Sequence, residues 1–241
     1  MIRVITFDFY NTLVRFWPPL EDIQQVACRR MGLNVSREAI RRGYAKADIL
    51  FNRANEEDPL SLRSPERRLE FFAEYEQVIL ETAGVPVTVN LARQVWSLAI
   101  AVPKEFTPFA DTMPALDALR KRGYRLGVIT NLRADLVPLI RKAGLEDILE
   151  FAVNSTQAGM EKPHPPIFQE ALRRAAVEPG EILHVGDQVR SDVAGARAMG
   201  MKAALLDRGG WHEPVEDCPK ISVLGEIIGL LEPESGTQSP L

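Results

Sequence analysis

Short apolar runs, each followed by polar or turn-forming residues, recur along this chain. The first is Val4–Phe7, and others lie beyond residue 107, at 125–129, 151–153, 182–185 and 203–206. Runs of this length bounded by turn residues predict buried strands. We expect the run at 203–206 to be the last strand of the core.

Helical patterns separate the later strands. Thr112 is expected to cap a helix that has Pro114 in its first turn and ends before Gly123. Further helices are predicted at 134–143, 166–175 and 192–199. Alternation of short strands and helices is typical of a mostly parallel sheet covered by helices.

The stretch from Leu13 to about Thr107 has no strong strand signal. Its apolar positions recur at helical spacing in four segments, 22–31, 37–54, 65–83 and 88–102. The first strand is too short to be stable alone, so it must join the later sheet. The sequence therefore predicts an α/β fold: a Rossmann-like, doubly wound parallel sheet with an inserted α-helical cap.

The predicted domain boundaries follow from this pattern. Residues 1–14 and 107–232 form the core, and residues 15–106 form the cap. Residues 233–241 are rich in Pro, Ser, Gly and Glu, and we expect a disordered tail there.

Composition narrows the possible functions. The net charge of −4 provides no basic field for nucleic acid, and no apolar run reaches the length of a membrane span. We find no pattern of a secretory signal and expect a cytoplasmic protein without a membrane partner. Cys28 and Cys218 are far apart in sequence and are expected to be free thiols.

Polar side chains follow the apolar runs at four places. They are Asp8, Thr130-Asn131, Glu161-Lys162-Pro163, and Asp187 with Asp192. Ligands bind outside the carboxyl ends of the strands in an open α/β sheet, so these segments can converge on one pocket. Asp8 is then a candidate nucleophile. Each residue also has a structural interpretation, since a strand-end Asp can begin a turn and Asp192 can cap a helix.

These four segments, in this order, resemble the haloacid dehalogenase-like hydrolase superfamily, in the branch with a helical cap after the first strand. The start Asp8-x-x-x-Thr12-Leu13 and the pair Gly186-Asp187 with Asp192 carry the resemblance, together with Thr130-Asn131 and Lys162. The sequence is similar to the 2-haloacid dehalogenase-like and Reg-2-like members.

The resemblance implies specific roles. Asp8 would attack the substrate and form a covalent aspartyl intermediate. Mg²⁺ would be held by Asp8, Asp187 and the backbone carbonyl of Tyr10, with Asp192 bound directly or through water. Substrate phosphate would be held by Thr130, by Asn131 and by the loop that contains Thr12, with Lys162 as a nearby positive charge.

Tyr10 departs from the phosphatase pattern, which usually has a second aspartate at this position. A phenol is a poor general base near neutral pH. Asp-x-Tyr is instead typical of the 2-haloacid dehalogenases, in which halide leaves unprotonated. Those enzymes use no metal and lack the pair Asp187 and Asp192, so phosphate chemistry is favoured here.

Three functions stay open on the sequence alone. They are a Mg²⁺-dependent phosphatase of a small phosphorylated metabolite, a 2-haloacid dehalogenase that also uses Tyr10 and an arginine, and a weakly catalytic protein that binds a ligand through its cap. Candidate cap arginines are Arg37, Arg41, Arg42 and Arg53. His184 lies within an apolar strand and is expected to be a hydrogen-bonded core residue, and oligomeric state is not predicted.

Overall fold

A computed structural model describes residues 1–231, apart from the side chains of Glu56 and Ser61. The predicted tail at 233–241 lies outside the described residues. The chain divides into two compact units, one made of Met1–Val14 and the chain from Pro108 onward, the other of Arg15–Thr107. We call them the core unit and the helical unit.

A six-stranded parallel sheet forms the centre of the core unit and confirms the α/β fold. Its strands are β1 (Val4–Phe7), β4 (Arg125–Thr130), β5 (Phe151–Asn154), β6 (Ile182–Gly186), β7 (Lys202–Leu206) and β8 (Lys220–Ile221). Their order in the sheet is β5-β4-β1-β6-β7-β8. The expectation that the run at 203–206 is the last strand is wrong, since β8 follows it. β8 was missed because two residues are too few to produce a hydrophobic pattern.

β1 is the strand from which the sheet grows in both directions. All four of its residues are buried, and Phe7 is in register with Val128 on one side and Val185 on the other. Along the chain, β4 and β5 come first and lie on one side of β1. β6 and β7 follow and lie on the other side. Such a change of direction opens a crevice at the carboxyl ends of the central strands, where Asp8 follows β1.

Helices connect the strands of the core unit. They are α5 (Thr112–Lys121), α6 (Leu136–Lys142), α7 (Ser155–Ala158), α8 (Pro165–Ala175), α9 (Gly195–Ala198) and α10 (Ile227–Leu231). Thr112 is not the cap of α5 as predicted: Asp111 occupies that position, and the Thr112 hydroxyl donates to the carbonyl of Leu13 at 2.7 Å.

The segment predicted as one helix at 192–199 is wrong in its first half. A π-helical turn spans Val189–Ala194, and only Gly195–Ala198 is α-helical. π-Helical turns are rare and occur frequently at functional sites, so this departure from regular helix concerns the position of Asp192 directly.

Four helices make up the helical unit, close to the predicted bounds. They are α1 (Leu20–Arg30), α2 (Arg37–Glu57), α3 (Pro65–Thr82) and α4 (Val89–Ile100). Ser36, Ser64 and Thr88 cap three of them, each accepting a backbone N–H three residues on. Their apolar faces form a separate core of Ile23, Ala27, Cys28, Val35, Ala39, Ile40, Leu80, Ala92, Val95 and Ala99.

Two short strands at the ends of the insertion were not predicted. β2 (Val14–Trp17) and β3 (Glu105–Pro108) form a two-stranded sheet, in which the rings of Phe16 and Phe106 stack with centroids 4.8 Å apart. Both strands are largely exposed or half-buried. They lack the continuous apolar run of a core strand, and their stability comes from pairing between distant segments.

Candidate active site

The turn after β1 places Asp8 at the centre of the sheet edge. The N–H of Asp8 donates to the Val185 carbonyl at 2.9 Å and so extends the pairing of β1 with β6. The chain then turns back through Asn11, whose φ of 65° is left-handed. Asn adopts this conformation more readily than most residues.

Lys162 lies next to Asp8 and is almost completely buried. Its Nζ donates to Asp8 Oδ1 at 2.7 Å, to Asp192 Oδ1 at 2.6 Å and to the Ile129 carbonyl at 2.7 Å. An ammonium group has three N–H donors, and all three are used here.

Asn131 positions the segment that carries Lys162. Its side-chain Nδ2 donates to the Lys162 carbonyl at 3.0 Å, and its Oδ1 accepts the Lys162 N–H at 2.6 Å. The hydroxyl of Ser155 in turn donates to the Asn131 carbonyl at 3.1 Å. The sequence predicted a phosphate-binding role for Asn131, and this positioning role was missed because nothing in a Thr-Asn pair indicates it.

Asp187 follows β6 and is hydrogen bonded to the loop after β1. Its Oδ2 accepts from Asn11 Nδ2 at 2.7 Å and from Gln188 Nε2 at 3.2 Å. The structure therefore brings Asp187 to the same edge of the sheet as the Asp8 turn. The contribution of the Asn11 side chain was not predicted.

Asp192 is reached through the π-helical turn. Its Oδ1 accepts from Lys162 and, at 3.1 Å, contacts His184 Nε2, while its Oδ2 accepts the Gln188 N–H at 3.0 Å. Gly186 makes room for this carboxylate, since a Cβ at that position would lie 2.2 Å from Asp192 Cγ.

The side chains of the three charged groups differ in how much they are exposed to solvent. The side chain of Asp8 is 12% exposed, whereas those of Lys162 and Asp192 are 2% and 1% exposed. Asp8 is therefore the one of these three groups whose side chain is partly open to solvent.

Burial and charge set the protonation of these groups. Burial raises the pKa of Asp8 to about 6, although Lys162 acts in the opposite direction. Burial also disfavours the charged form of Asp192, but Lys162 and His184 outweigh it and hold the pKa of that carboxyl below its usual range. Burial would lower the pKa of Lys162, but Asp192 and Asp8 together raise it. Asp8 is thus mostly ionised at pH 7.

The other predicted site residues, Thr130, Thr12 and Tyr10, differ in accessibility. Thr130 ends β4 and is 2% exposed, and its hydroxyl accepts the Leu132 N–H at 3.3 Å. Thr12 is fully buried, and its hydroxyl has no hydrogen-bond partner among the described residues. Tyr10 is half-buried in the turn. Their roles in binding remain predictions.

The expected gathering of three acidic side chains around one cation is not found. Within residues 1–231, no group of three or more His, Cys, Asp or Glu side chains is arranged to hold a metal ion. Both oxygens of Asp192 accept hydrogen bonds from protein groups instead. Mg²⁺ often binds through only one or two carboxylates and completes its shell with water and substrate phosphate. The hard oxygens of Asp8 and Asp187 fit that requirement.

The cap arginines are engaged in ion pairs within the helical unit. Arg37 pairs with Asp22, Arg41 with Glu21, Arg42 with Glu38 and Arg53 with Glu57. Each of these arginine side chains is at least half exposed. Their contacts are those of surface residues.

Comparison with known proteins identifies the family. The model for haloacid dehalogenase-like hydrolases matches residues 2–200. Haloacid dehalogenase-like hydrolase domain-containing protein 3 of Homo sapiens is 32% identical over 239 residues, covering 95% of this chain and 92% of that protein. This chain belongs to the haloacid dehalogenase-like hydrolase family.

The names of two further relatives give two different reactions. The glyceraldehyde 3-phosphate phosphatase of Methanopyrus kandleri is 36% identical over 107 residues, covering 44% of this chain and 46% of that protein. The crystal structure of a 2-haloacid dehalogenase from Pseudomonas syringae has a TM-score of 0.57 and 29% identity, covering 96% of this chain and 98% of that one.

The described part of the molecule contains no helix with the length and apolar character needed to cross a membrane. Cys28 and Cys218 are both free thiols, as predicted.

Proposed function

We propose that this protein is a Mg²⁺-dependent phosphatase of a small phosphorylated metabolite, with Asp8 as the nucleophile. One observation carries the proposal: among the charged groups joined at Lys162, Asp8 alone has a side chain that is partly open to solvent. The similarity to the glyceraldehyde 3-phosphate phosphatase of Methanopyrus kandleri supports phosphate as the group that is transferred.

The proposed reaction has two displacements. An oxygen of Asp8 forms a bond to phosphorus while the bond between phosphorus and the ester oxygen breaks, and the alcohol leaves after taking up a proton. Water then attacks the phosphorus of the aspartyl-phosphate, which returns the Asp8 carboxylate and releases inorganic phosphate. Lys162 reduces the repulsion between the carboxylate and the phosphate, because its positive charge lies 2.7 Å from Asp8 Oδ1.

Mg²⁺ would be held by Asp8, Asp187 and the carbonyl of Tyr10. When bound, it would neutralise charge on the phosphate oxygens. Thr130 would donate its hydroxyl proton to a phosphate oxygen, since its oxygen already accepts from Leu132.

The proposal is tested by release of phosphate from para-nitrophenyl phosphate. We expect turnover in the presence of Mg²⁺, its loss after treatment with a chelator, and a fall of at least ~10³-fold in the Asp8→Asn variant, because the nucleophile is removed. Asp147→Asn, an exposed carboxylate of the core unit, is the matched control and should keep the wild-type rate. Turnover that persists after complete removal of metal would contradict the proposal.

A 2-haloacid dehalogenase is the second candidate, because Tyr10 stands where phosphatases have an acid and a dehalogenase structure is 29% identical to this chain. In that reaction Asp8 would form a bond to the carbon that bears the halogen while the carbon–halogen bond breaks and halide leaves, and water would then hydrolyse the aspartyl ester to a 2-hydroxy acid and the free carboxylate. Chloride release from 2-chloropropionate without added metal would establish it. Phosphate release together with no chloride release would dismiss it.

A further inference from the structure

A continuous line of buried polar side chains crosses the core unit behind the site. Thr6 Oγ1 lies 3.0 Å from His184 Nδ1, and His184 Nε2 lies 3.1 Å from Asp192 Oδ1. Asp192 Oδ1 then accepts from Lys162, which donates to Asp8. Thr6 and His184 are both fully buried.

The hydrogen positions in this line follow from the chemistry of its ends. Asp192 pairs with the Lys162 ammonium and, as a carboxylate, can only accept hydrogen bonds. The ring nitrogen that faces it, Nε2 of His184, must therefore carry a hydrogen. A neutral ring carries a hydrogen on only one of its nitrogens, so Nδ1, which lies 3.0 Å from the Thr6 hydroxyl, is an acceptor. The Thr6 hydroxyl then donates to Nδ1.

Simple packing is the alternative explanation for a buried histidine. The ring of Phe168 contacts His184 edge-on, with centroids 5.8 Å apart, so an apolar residue of similar size would satisfy this contact. Packing alone, however, gives no reason for both ring nitrogens to meet polar partners at hydrogen-bonding distance.

We propose that His184 is a positioning residue: its Nε2–H fixes the Asp192 carboxylate in the orientation that places Lys162 beside Asp8, and the Thr6 hydroxyl fixes the tautomer of the ring. The effect of His184 on turnover rests on the proposed function of Asp8. The tautomer of the His184 ring does not depend on that function. By analogy with the hydrogen-bond partners of metal ligands, we expect removal of such an orienting group to lower activity by about 10-fold to 100-fold.

The tautomer is tested directly by nitrogen NMR of protein labelled at histidine, at pH 7. His164 and His212 are the other histidines, and the His184→Gln variant identifies the His184 signals by their loss. We expect a neutral ring with hydrogen on Nε2 and none on Nδ1, and a change in the Nδ1 shift in Thr6→Val. A ring with its hydrogen on Nδ1 would overturn the inference.

Kinetics test the positioning role with matched substitutions. His184→Gln can still present an amide N–H to Asp192, whereas His184→Leu fills the space without a donor. We expect kcat for phosphate release to fall by about 10-fold to 100-fold in the Leu variant, with KM changed little, and to recover largely in the Gln variant. His212→Leu, a loop residue, is the control and should leave kcat unchanged.

The outcomes separate this inference from the proposed function. Equal kcat in the wild-type and His184→Leu proteins would overturn the positioning role, and a Thr6→Val variant, which conserves shape, repeats the test should His184→Leu fail to fold. Absence of both phosphate and halide release from the wild-type protein would refute the proposed function, while the tautomer would still decide the inference.

Discussion

Tyr10 is the residue at which this chain departs from the phosphatase pattern. The alcohol that leaves a phosphate ester needs a proton, and the water that follows needs a base. A phenol, with an ordinary pKa near 10, is poorly matched to the second task at neutral pH. Tyr10 lies two residues beyond Asp8, in the same turn as Asn11, so a carboxyl group placed there would be close to the reacting atoms.

We therefore expect Tyr10→Asp to increase kcat for phosphate release by about 10²-fold, within the range that a well-placed acid or base provides. Tyr10→Phe is the matched control, because it removes only the hydroxyl. The measurement is phosphate release with saturating Mg²⁺ from an alkyl phosphate such as glycerol 3-phosphate, because its alcohol must take up a proton to leave whereas para-nitrophenolate need not. An unchanged or lower kcat in Tyr10→Asp would mean that another group supplies the proton.

The candidate site residues were predictable from sequence where the chemistry lies in the side chain itself. Asp8 and Lys162 are of this kind, and the structure places them 2.7 Å apart. Asn11 and Asn131 are not, because their amides bond to partners 176 and 31 residues away. Pairing over such separations depends on the completed sheet, and no local pattern indicates it.

At the scale of elements, the end of β6 and the π-helical turn act together. β6 ends in Gly186, and the turn brings Asp192 back against that glycine. The sequence predicted a regular helix here because apolar spacing cannot distinguish one π-helical turn from an α-helix. β2 and β3 were missed for a different reason. Their pairing joins segments about 90 residues apart, and neither strand has the continuous apolar run that predicts a buried strand.

We expect Gly186→Ala to disturb this arrangement. The new Cβ would lie 2.2 Å from Asp192 Cγ, so the Asp192 carboxylate or the backbone around it must shift. The free energy of unfolding should fall by about 1–3 kcal/mol, as for other overpacked sites, and kcat should fall with it. Gly180→Ala is the control, since a Cβ there meets nothing within 4 Å. Urea unfolding and phosphate release measure both effects, and wild-type values in Gly186→Ala would contradict the packing described.

At the scale of the whole molecule, the two units differ in the charge state of their buried carboxyl groups. In the core unit, a buried lysine lies between two carboxylates, which keeps all three groups charged. In the helical unit, Glu76 is 1% exposed and accepts a hydrogen bond from the buried amide of Gln24. Burial raises the pKa of Glu76 to about 8, so this carboxyl is mostly neutral at pH 7.

This difference gives the stability of the protein a pH dependence of known sign. Glu76 keeps its proton in the folded protein up to about pH 8 but loses it near pH 4.5 in the unfolded chain. Its contribution to stability is therefore complete below pH 4.5 and is lost as the pH rises to 8. Each unit of pKa difference is worth about 1.4 kcal/mol, so the loss is on the order of a few kcal/mol.

Glu76→Gln should remove that loss, because the amide keeps the shape and the acceptor for Gln24 but cannot ionise. We expect the variant to be more stable than the wild-type protein at pH 8, by a few kcal/mol, and the difference to shrink toward pH 5. Urea unfolding at several pH values measures it, with Glu74→Gln, an exposed carboxylate of the same helix, as the control. Other titrating groups such as Asp8 are present in both proteins, so their contributions cancel in the comparison. Parallel curves for Glu76→Gln and the wild-type protein would show that Glu76 is already ionised in the fold.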